Sequence, residues 1–504
     1  MAAVRNNIAT NLFAGFWTTV LTAAITPLQV KMLGIEAYGL IGFIATLQIV
    51  FSAFDLGLAT TLTRELASDQ STDRRQSGAL IRTASTVYWG IALLVGTILA
   101  LAAGRIAHDW FNAKTIPAST LRDALYLIVL YLALRWPTAL YVGILGGLQR
   151  MVAINVVKIA IVTIRLAGGI VVLLIWRDIT TFLVWNAATA LLEVLAYFLL
   201  CRRLCPFASW RPGISIVALR PLMGFSSIMM AISLLALLIS QLDRILISKL
   251  LSLEQFGFYM LAVNAASITS LAIAAVATAM LPAFAAWQTN PQIAVLQARY
   301  DYANRVILFV VGAAAFALIC FGQTILTWWV GGAAAAGAYQ PMALLAAALW
   351  LNALVSNAYT TSVALGRPGL TLRVSALSAL PYALVLYFMI RQWHTVGAAA
   401  AWLLLNLSYV LTLVPIVHRD LLKISTVRWF KNTLLPFAAL GMGSFGTARV
   451  ARDMWTAGGT ITDIVAIGAG GGLYFLIGYR LLGPRIRNDI VRVLDRRLRT
   501  ADAV

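Results

Sequence analysis

Charge is what this sequence has least of. Asp, Glu, Lys and Arg together make up 11% of its 504 residues, where soluble proteins average about 25%. A soluble chain of this length could not cover its surface with so few charges. A disordered chain is excluded as well, because such chains are poor in apolar residues. Here 61% of the residues are hydrophobic and the mean hydropathy is +0.87. Cysteine is scarce: Cys201, Cys205 and Cys320 cannot build a disulfide framework. Cys201 and Cys205 lie four apart at a helix end, with no His or carboxylate at ligand spacing, so they read as packing residues and no metal site is expected. Histidine is limited to His108, His394 and His418, in or near loops and far apart in sequence. Neither a serine–histidine arrangement nor a phosphate-cradling glycine loop is present. No loop is long enough to be a soluble catalytic domain. An enzyme and a cofactor are therefore not expected, and any function has to be built from apolar segments.

Fourteen such segments can be read. In the first half they run over about 8–30, 40–62, 83–104, 122–147, 154–176 and 179–200. In the second half they run over about 222–247, 256–284, 303–328, 341–365, 373–390, 396–417, 434–450 and 461–482. Each is near the length of about 20 residues that a bilayer requires, so the expected fold is all-α and polytopic. The first segment carries Pro27 and is followed by many more, which argues against a cleaved signal peptide. Lys and Arg number 38 against 18 Asp and Glu, a net charge of +20. In a soluble domain that balance would suggest nucleic acid; here the bases sit mostly in short loops. With the N-terminus placed in the cytoplasm, 25 of them fall on the cytoplasmic side and 10 on the other. That is the positive-inside pattern, and it puts both termini in the cytoplasm. Membrane lipids are the expected partners, and nucleic acid is not. After Pro484 a narrow apolar stripe ringed by arginines reads as a helix lying on anionic lipid.

An internal repeat sets the domain plan. Lys31-Met-Leu-Gly-Ile-Glu-Ala-Tyr-Gly39 aligns with Lys249-Leu-Leu-Ser-Leu-Glu-Gln-Phe-Gly257 at an offset of 218, with Lys, Leu, Glu and Gly shared. A weaker echo joins Leu145-Gly146 to Leu365-Gly366. An even number of spans per copy keeps both copies in one orientation, the parallel-repeat plan of transporters. The expected organisation is an N-terminal lobe of six spans (1–206), a cytoplasmic linker (207–221) and a C-terminal lobe of six spans (222–433). Two peripheral spans (434–482) and a basic cytoplasmic tail (483–504) follow.

Charges inside spans are costly and face a cavity or a partner. Arg135 lies near the middle of the fourth span, Lys158 and Arg165 in the fifth, Glu193 in the sixth, Asp55 in the second, and Asp243-Arg244 late in the seventh. Lys158 and Arg165 are two turns apart on one helix face. With Arg135 they would make a basic ladder in the first lobe. Arg135 and Arg165 could instead pair with Glu193 or Asp55, and Lys158 could reach the membrane surface. Guanidinium groups suit phosphate through forked donors and a permanent charge. Asp55, beside Gly57, could gate or carry a proton. Arg64 and Glu65 close that span at its cytoplasmic edge. Asp243 could carry a coupling ion or bridge the lobes, and adjacency points Asp243 and Arg244 about 100° apart. Tyr131 and Trp136 stand out from the other aromatic residues by lying mid-span.

Asn11 to Gly39, ending Leu33-Gly-Ile-Glu-Ala-Tyr-Gly39, resembles the start of Wzx-type polysaccharide flippases. So does Phe54-Asp55-Leu56-Gly57-Leu58 followed by Arg64-Glu65-Leu66-Ala67. Gln241-Leu-Asp243-Arg244-Ile-Leu-Ile followed by Phe256-Gly257-Phe258-Tyr259 is similar to that family's seventh-to-eighth span region. These flippases belong to the multidrug/oligosaccharidyl-lipid/polysaccharide exporter superfamily, which includes MATE exporters and lipid II flippases. The resemblance implies a bacterial inner-membrane flippase that moves undecaprenyl-diphosphate-linked oligosaccharide to the periplasmic leaflet by alternating access through a cationic central cavity. It also implies a polysaccharide polymerase and chain-length proteins as partners. Asp55, Arg64, Asp243 and Arg244 occupy matching positions; Arg135, Lys158 and Arg165 rest on the physical argument. Two alternatives stand beside this reading. A MATE-like cation-coupled exporter of small molecules would need acidic residues to dominate the first-lobe cavity. A membrane polymerase or ligase would need a large external catalytic loop.

Overall fold

Helices follow one another with tight turns between them, as a chain must arrange itself when each backbone N–H and C=O has to be satisfied within hydrocarbon. The computed structural model describes residues 2–52, 55, 58–67, 74–215, 227–270, 273, 293–455, 459–484 and 486–488. Phe54, Leu56 and Gly57 of the second-span motif, the end of the linker, much of the eighth segment and nearly all of the basic tail lie outside those residues. Ten helical stretches among the described residues are long and apolar enough to cross a membrane. The protein is an all-α, polytopic membrane protein. By contacts it parts into two units, Met1–Met260 and Leu261–Val504.

The first unit contains α1 (Ala2–Leu33), α2 (Ile35–Ser52), α3 (Leu58–Ala67), α4 (Arg74–Asp109), α5 (Ala118–Arg135), α6 (Thr138–Gly147), α7 (Met151–Trp176), α8 (Ile179–Leu204) and α9 (Ser227–Leu250), and reaches into α10 (Leu253–Ala266). The α7–α8 hairpin turns on two residues. Arg177 adopts the left-handed conformation at φ 50°, and Asp178 caps α8 by accepting from the Thr181 backbone N–H at 2.8 Å. Gly168 and Gly169 leave room for Trp185 and Phe182, so α7 and α8 approach closely. Outward faces are apolar, with Leu93, Leu94 and Leu101 of α4 and Val171 and Leu174 of α7 exposed to the surroundings.

The two copies of the repeat motif meet in this unit. A Cβ on Gly39 would lie 2.7 Å from the Leu253 carbonyl oxygen, and one on Gly257 would collide with the carbonyl of Ile35. The shared glycines are thus the points where α2 and α10 cross, backbone against backbone. The shared acids act there as well. Glu36 accepts from the backbone N–H of Lys114 at 2.5 Å and of Thr115 at 2.8 Å, while Glu254 pairs with Lys114 Nζ at 3.3 Å. Lys249, the second copy's lysine, donates to the Asp109 carbonyl. The loop after α4 is also tied by Leu253 N–H to Asn112 carbonyl at 3.0 Å.

In the second unit α11 (Ile293–Val330), α12 (Gly332–Ala364) and α13 (Pro368–Val417) pack in sequence, followed by π and α turns through 418–434, then α14 (Leu435–Met454) and α15 (Thr460–Leu481). At 50 residues α13 would measure about 75 Å if straight, against a hydrocarbon core of about 30 Å. It is two crossings, reversing at Trp393 and His394, whose backbone leaves the helical region. This is the gap expected between segments 373–390 and 396–417. The weaker echo is also realised, with a shifted register. Gln149 (φ 57°) and Gly366 (φ 71°) hold equivalent left-handed positions, and Arg150 N–H to Leu145 carbonyl matches Arg367 N–H to Ser362 carbonyl, both at 2.9 Å. The equivalent of Gly366 is therefore Gln149 and not Gly146, which brings this offset to within one residue of the first motif's.

Gly257→Ala should destabilise the detergent-solubilised protein by about 1–3 kcal/mol, through overpacking. Gly468→Ala, where a Cβ meets nothing within 4 Å, should leave the melting temperature unchanged. Equal melting temperatures for the two variants would contradict the close crossing.

Candidate functional site

Two helix interruptions face one another across a cavity in the first unit. α2 ends at Ser52 and α3 starts at Leu58, with Asp55 between them in a 3-10 turn. Asp55 accepts from the Ala59 N–H at 3.3 Å, so it occupies the start of α3, where unpaired backbone donors favour a carboxylate. It also accepts from the Tyr88 hydroxyl. The second interruption lies between α5 and α6 at Trp136-Pro137. Pro137 has no N–H to continue the helix, and the Ala139 N–H bonds the Trp136 carbonyl at 3.2 Å. Trp136 donates to the Phe51 carbonyl at 3.1 Å and packs on Tyr88, with ring centroids 4.9 Å apart, so each break braces the other. The cavity between them has a volume of about 250 Å³ and is lined by Gln48, Ser52 and Asp55 on one side and Arg135, Trp136 and Thr138 on the other.

Behind Arg135 lies a charge cluster shared by three helices. On α8, Thr189 and Glu193 are four residues apart and share a face; on α5, Tyr131 and Arg135 do the same. Arg165 of α7 completes the group. Its Nη2 lies 2.5 Å from Glu193 Oε2, and its Nε donates to Thr189 Oγ1 at 3.1 Å. Arg135 Nε lies 3.3 Å from the same Glu193 oxygen, and its Nη1 donates to the Tyr131 hydroxyl at 2.7 Å. The Tyr131 ring is shared, with the Arg135 and Arg165 guanidinium carbons 5.8 and 5.5 Å from its centroid. The two arginines differ in access. The Arg165 and Glu193 side chains are each 9% exposed, and that of Arg135 is 23% exposed.

The expected site residues therefore separate. Arg135, Arg165 and Glu193 come together, and Asp55 joins Arg135 at the cavity. Lys158 is exposed and makes no ion pair among the described residues. Arg64 is exposed and pairs with the adjacent Glu65 at 3.2 Å. Asp243 is buried; it accepts from the Tyr259 hydroxyl at 2.5 Å and from the Arg244 backbone N–H at 2.8 Å. The Arg244 side chain turns to Gln241 at 2.8 Å. Of the three expected cations, Arg135 reaches the cavity, and Asp55 on the opposite wall gives that cavity both signs. Tyr131, Thr189, Gln48 and Tyr88 also belong to the site. Their sequence signal is the four-residue spacing of Tyr131 from Arg135 and of Thr189 from Glu193.

Arg165→Ala would leave a buried carboxylate short of its nearer partner, a change that costs about 3–5 kcal/mol in buried pairs. It should lower the melting temperature and the amount of protein in the membrane. Arg135→Ala, which leaves Glu193 its shorter contact with Arg165, should lower stability less. Equal losses in thermal melts of the two variants would contradict the division between a buried and a cavity-facing arginine.

Residues 4–288 match the model of the polysaccharide biosynthesis protein family. A putative O-antigen transporter from Shigella flexneri is 20% identical over 427 residues, covering 80% of this chain and 94% of that protein. The fold is that of the lipid II flippase MurJ in an inward closed conformation, with a TM-score of 0.72 at 13% identity over 94% of this chain and 99% of that one. It is also similar to an inward-facing MATE family multidrug resistance transporter of the MOP superfamily, with a TM-score of 0.63 at 12% identity over 80% and 95% of the two chains. The match covers more than half of the sequence, and the chain belongs to the polysaccharide biosynthesis protein family.

Proposed function

We propose that the protein translocates a lipid-linked oligosaccharide diphosphate across the bacterial inner membrane, from the cytoplasmic to the periplasmic leaflet, and that Arg135 receives the diphosphate. The observation that carries this reading is a partly exposed guanidinium near the middle of the Ala118–Gly147 span, lining a cavity between two helix interruptions. An arginine cannot shed its proton to lower the cost of burial, so its place at a cavity wall favours an anionic guest. The N-terminus of α6 lies at the same cavity, and helix N-termini favour negative charge. Interrupted helices whose N-terminal ends meet anionic groups recur at transporter sites. The lipid tail would stay in the bilayer while the headgroup crosses.

In this reading the two six-span lobes, 1–206 and 222–433, alternate access about a fixed site, and both termini are cytoplasmic, as the loop charges indicate. Asp55, Glu193, Asp243 and Arg244 serve coupling or gating, and Arg64 and Lys158 attract the headgroup at the cytoplasmic surface. Membrane lipids surround the protein, and a polymerase and chain-length proteins receive its product. The O-antigen transporter among its relatives and the membership of the polysaccharide family support this substrate class.

A second reading, a MATE-like cation exporter, draws on Asp55 at the cavity wall. Its carboxylate is already engaged by Tyr88 and the start of α3, which favours the anionic substrate. A deletion strain should accordingly lose surface polysaccharide without gaining sensitivity to cationic drugs. Arg135→Ala should abolish surface polysaccharide at normal protein levels, and Arg135→Lys should retain part of it. Wild-type display in Arg135→Ala cells would count against the site.

A further inference from the structure

We infer that Glu193 is an internal competitor for the substrate anion, holding Arg135 while the cavity is empty and yielding it when a headgroup arrives. The inference rests on the reading of Arg135 as the headgroup ligand and adds the groups that set its affinity. Both arginines approach the same Glu193 oxygen, one at 2.5 Å and the other at 3.3 Å. The two contacts are unequal, and the geometry shows which arginine is held less firmly. Arg165 is anchored a second time by Thr189, and its own carbonyl accepts from Trp185 Nε1 at 3.0 Å, which fixes α7 at that point. Arg135 makes the longer contact, is the more exposed, and lines the cavity. Its other partner, the Tyr131 hydroxyl, is neutral and lies on the same helix, so it can follow Arg135 or release it without leaving a buried charge behind.

The second arginine makes the exchange possible. Stripping a buried carboxylate of its only cation is strongly unfavourable. Arg165 keeps Glu193 paired when Arg135 turns to the headgroup, so the exchange trades one anion for another at Arg135 and leaves no ion bare. Tyr131 and Glu193 are then positioning residues. The ring lies close to both guanidiniums, and the carboxylate aims Arg135 and weakens its hold on the substrate. A transporter needs that weakening, because a headgroup bound too firmly is not released on the far side.

Removal of the competing charge should therefore tighten binding and slow transport, the reverse of what loss of a merely structural residue would do. The test uses the full chain in nanodiscs with farnesyl diphosphate as the probe, comparing wild type with Glu193→Gln, Glu193→Asp and Arg135→Ala. Asp keeps a charge for the cluster while drawing the carboxylate back by one methylene, so it carries the test if the Gln variant does not fold. Tighter binding by about fivefold, the worth of a partly exposed ion pair, with reduced surface polysaccharide in the same variants, is the expected result. Binding in folded Glu193→Gln or Glu193→Asp that equals or falls below wild type, with Arg135→Ala weakened, would overturn the competitor and leave the site standing. Unchanged binding in Arg135→Ala would overturn the site itself.

Discussion

A carboxylate buried at mid-membrane must be paired, and Glu193 is paired twice. Its two arginines come from α5 and α7, so one anion on α8 fixes three helices at the same depth. In hydrocarbon an unpaired charge is expensive enough to decide which helices meet. The interlocking pairs Tyr131/Arg135 and Thr189/Glu193 turn that requirement into a geometry, with each charge carrying a polar neighbour one turn away on its own helix. The two arginines are unequal because they stand at different distances from the cavity. Arg165 is part of the wall's support, and Arg135 is part of its surface.

The cavity itself is a product of broken helices. A continuous helix would offer a small polar substrate nothing but side chains. The interruptions at Asp55 and at Trp136-Pro137 add helix ends. Each break is held by the other through the Trp136 bond to the Phe51 carbonyl and the Tyr88–Trp136 packing, so the openings are braced and do not collapse into the gap. The repeat supplies the other fixed point of this unit. Gly39 and Gly257 let α2 and α10 cross closely, and Glu36 and Glu254 tie down the loop after α4 beside that crossing.

Much of this was legible in the sequence. Composition and periodicity specify an all-helical membrane protein, because charge is too scarce for anything else. The arginines at mid-span and Glu193 were recognisable as costly and hence as candidates. What periodicity could not decide was which partner each charge takes. Arg135 and Arg165 are equally basic and equally deep, and their difference comes from tertiary packing of α5 and α7 on α8. Lys158 shares a helical face with Arg165, yet one side chain is exposed and the other is turned into the cluster. The interruption at Pro137 had a local signal, whereas its meeting with Asp55 did not, since the two lie in different helices. The register of the weaker echo differs because the shared Leu-Gly pair aligns Gly146 with Gly366, whereas the left-handed position equivalent to Gly366 is held by Gln149. The reversal inside α13 was marked by the gap between segments 373–390 and 396–417, whereas the non-glycine left-handed backbone of His394 within it had no sequence signal.

The central claim is that a negatively charged headgroup is recognised through Arg135 in the cavity between the breaks. Binding of three lipids with the same polyprenyl tail and a diphosphate, a monophosphate or a hydroxyl headgroup to the wild-type protein in nanodiscs tests it most directly. The account predicts that affinity falls steeply from diphosphate to monophosphate to alcohol and that the difference shrinks as salt is raised. Equal affinity for the charged and uncharged lipids would contradict it.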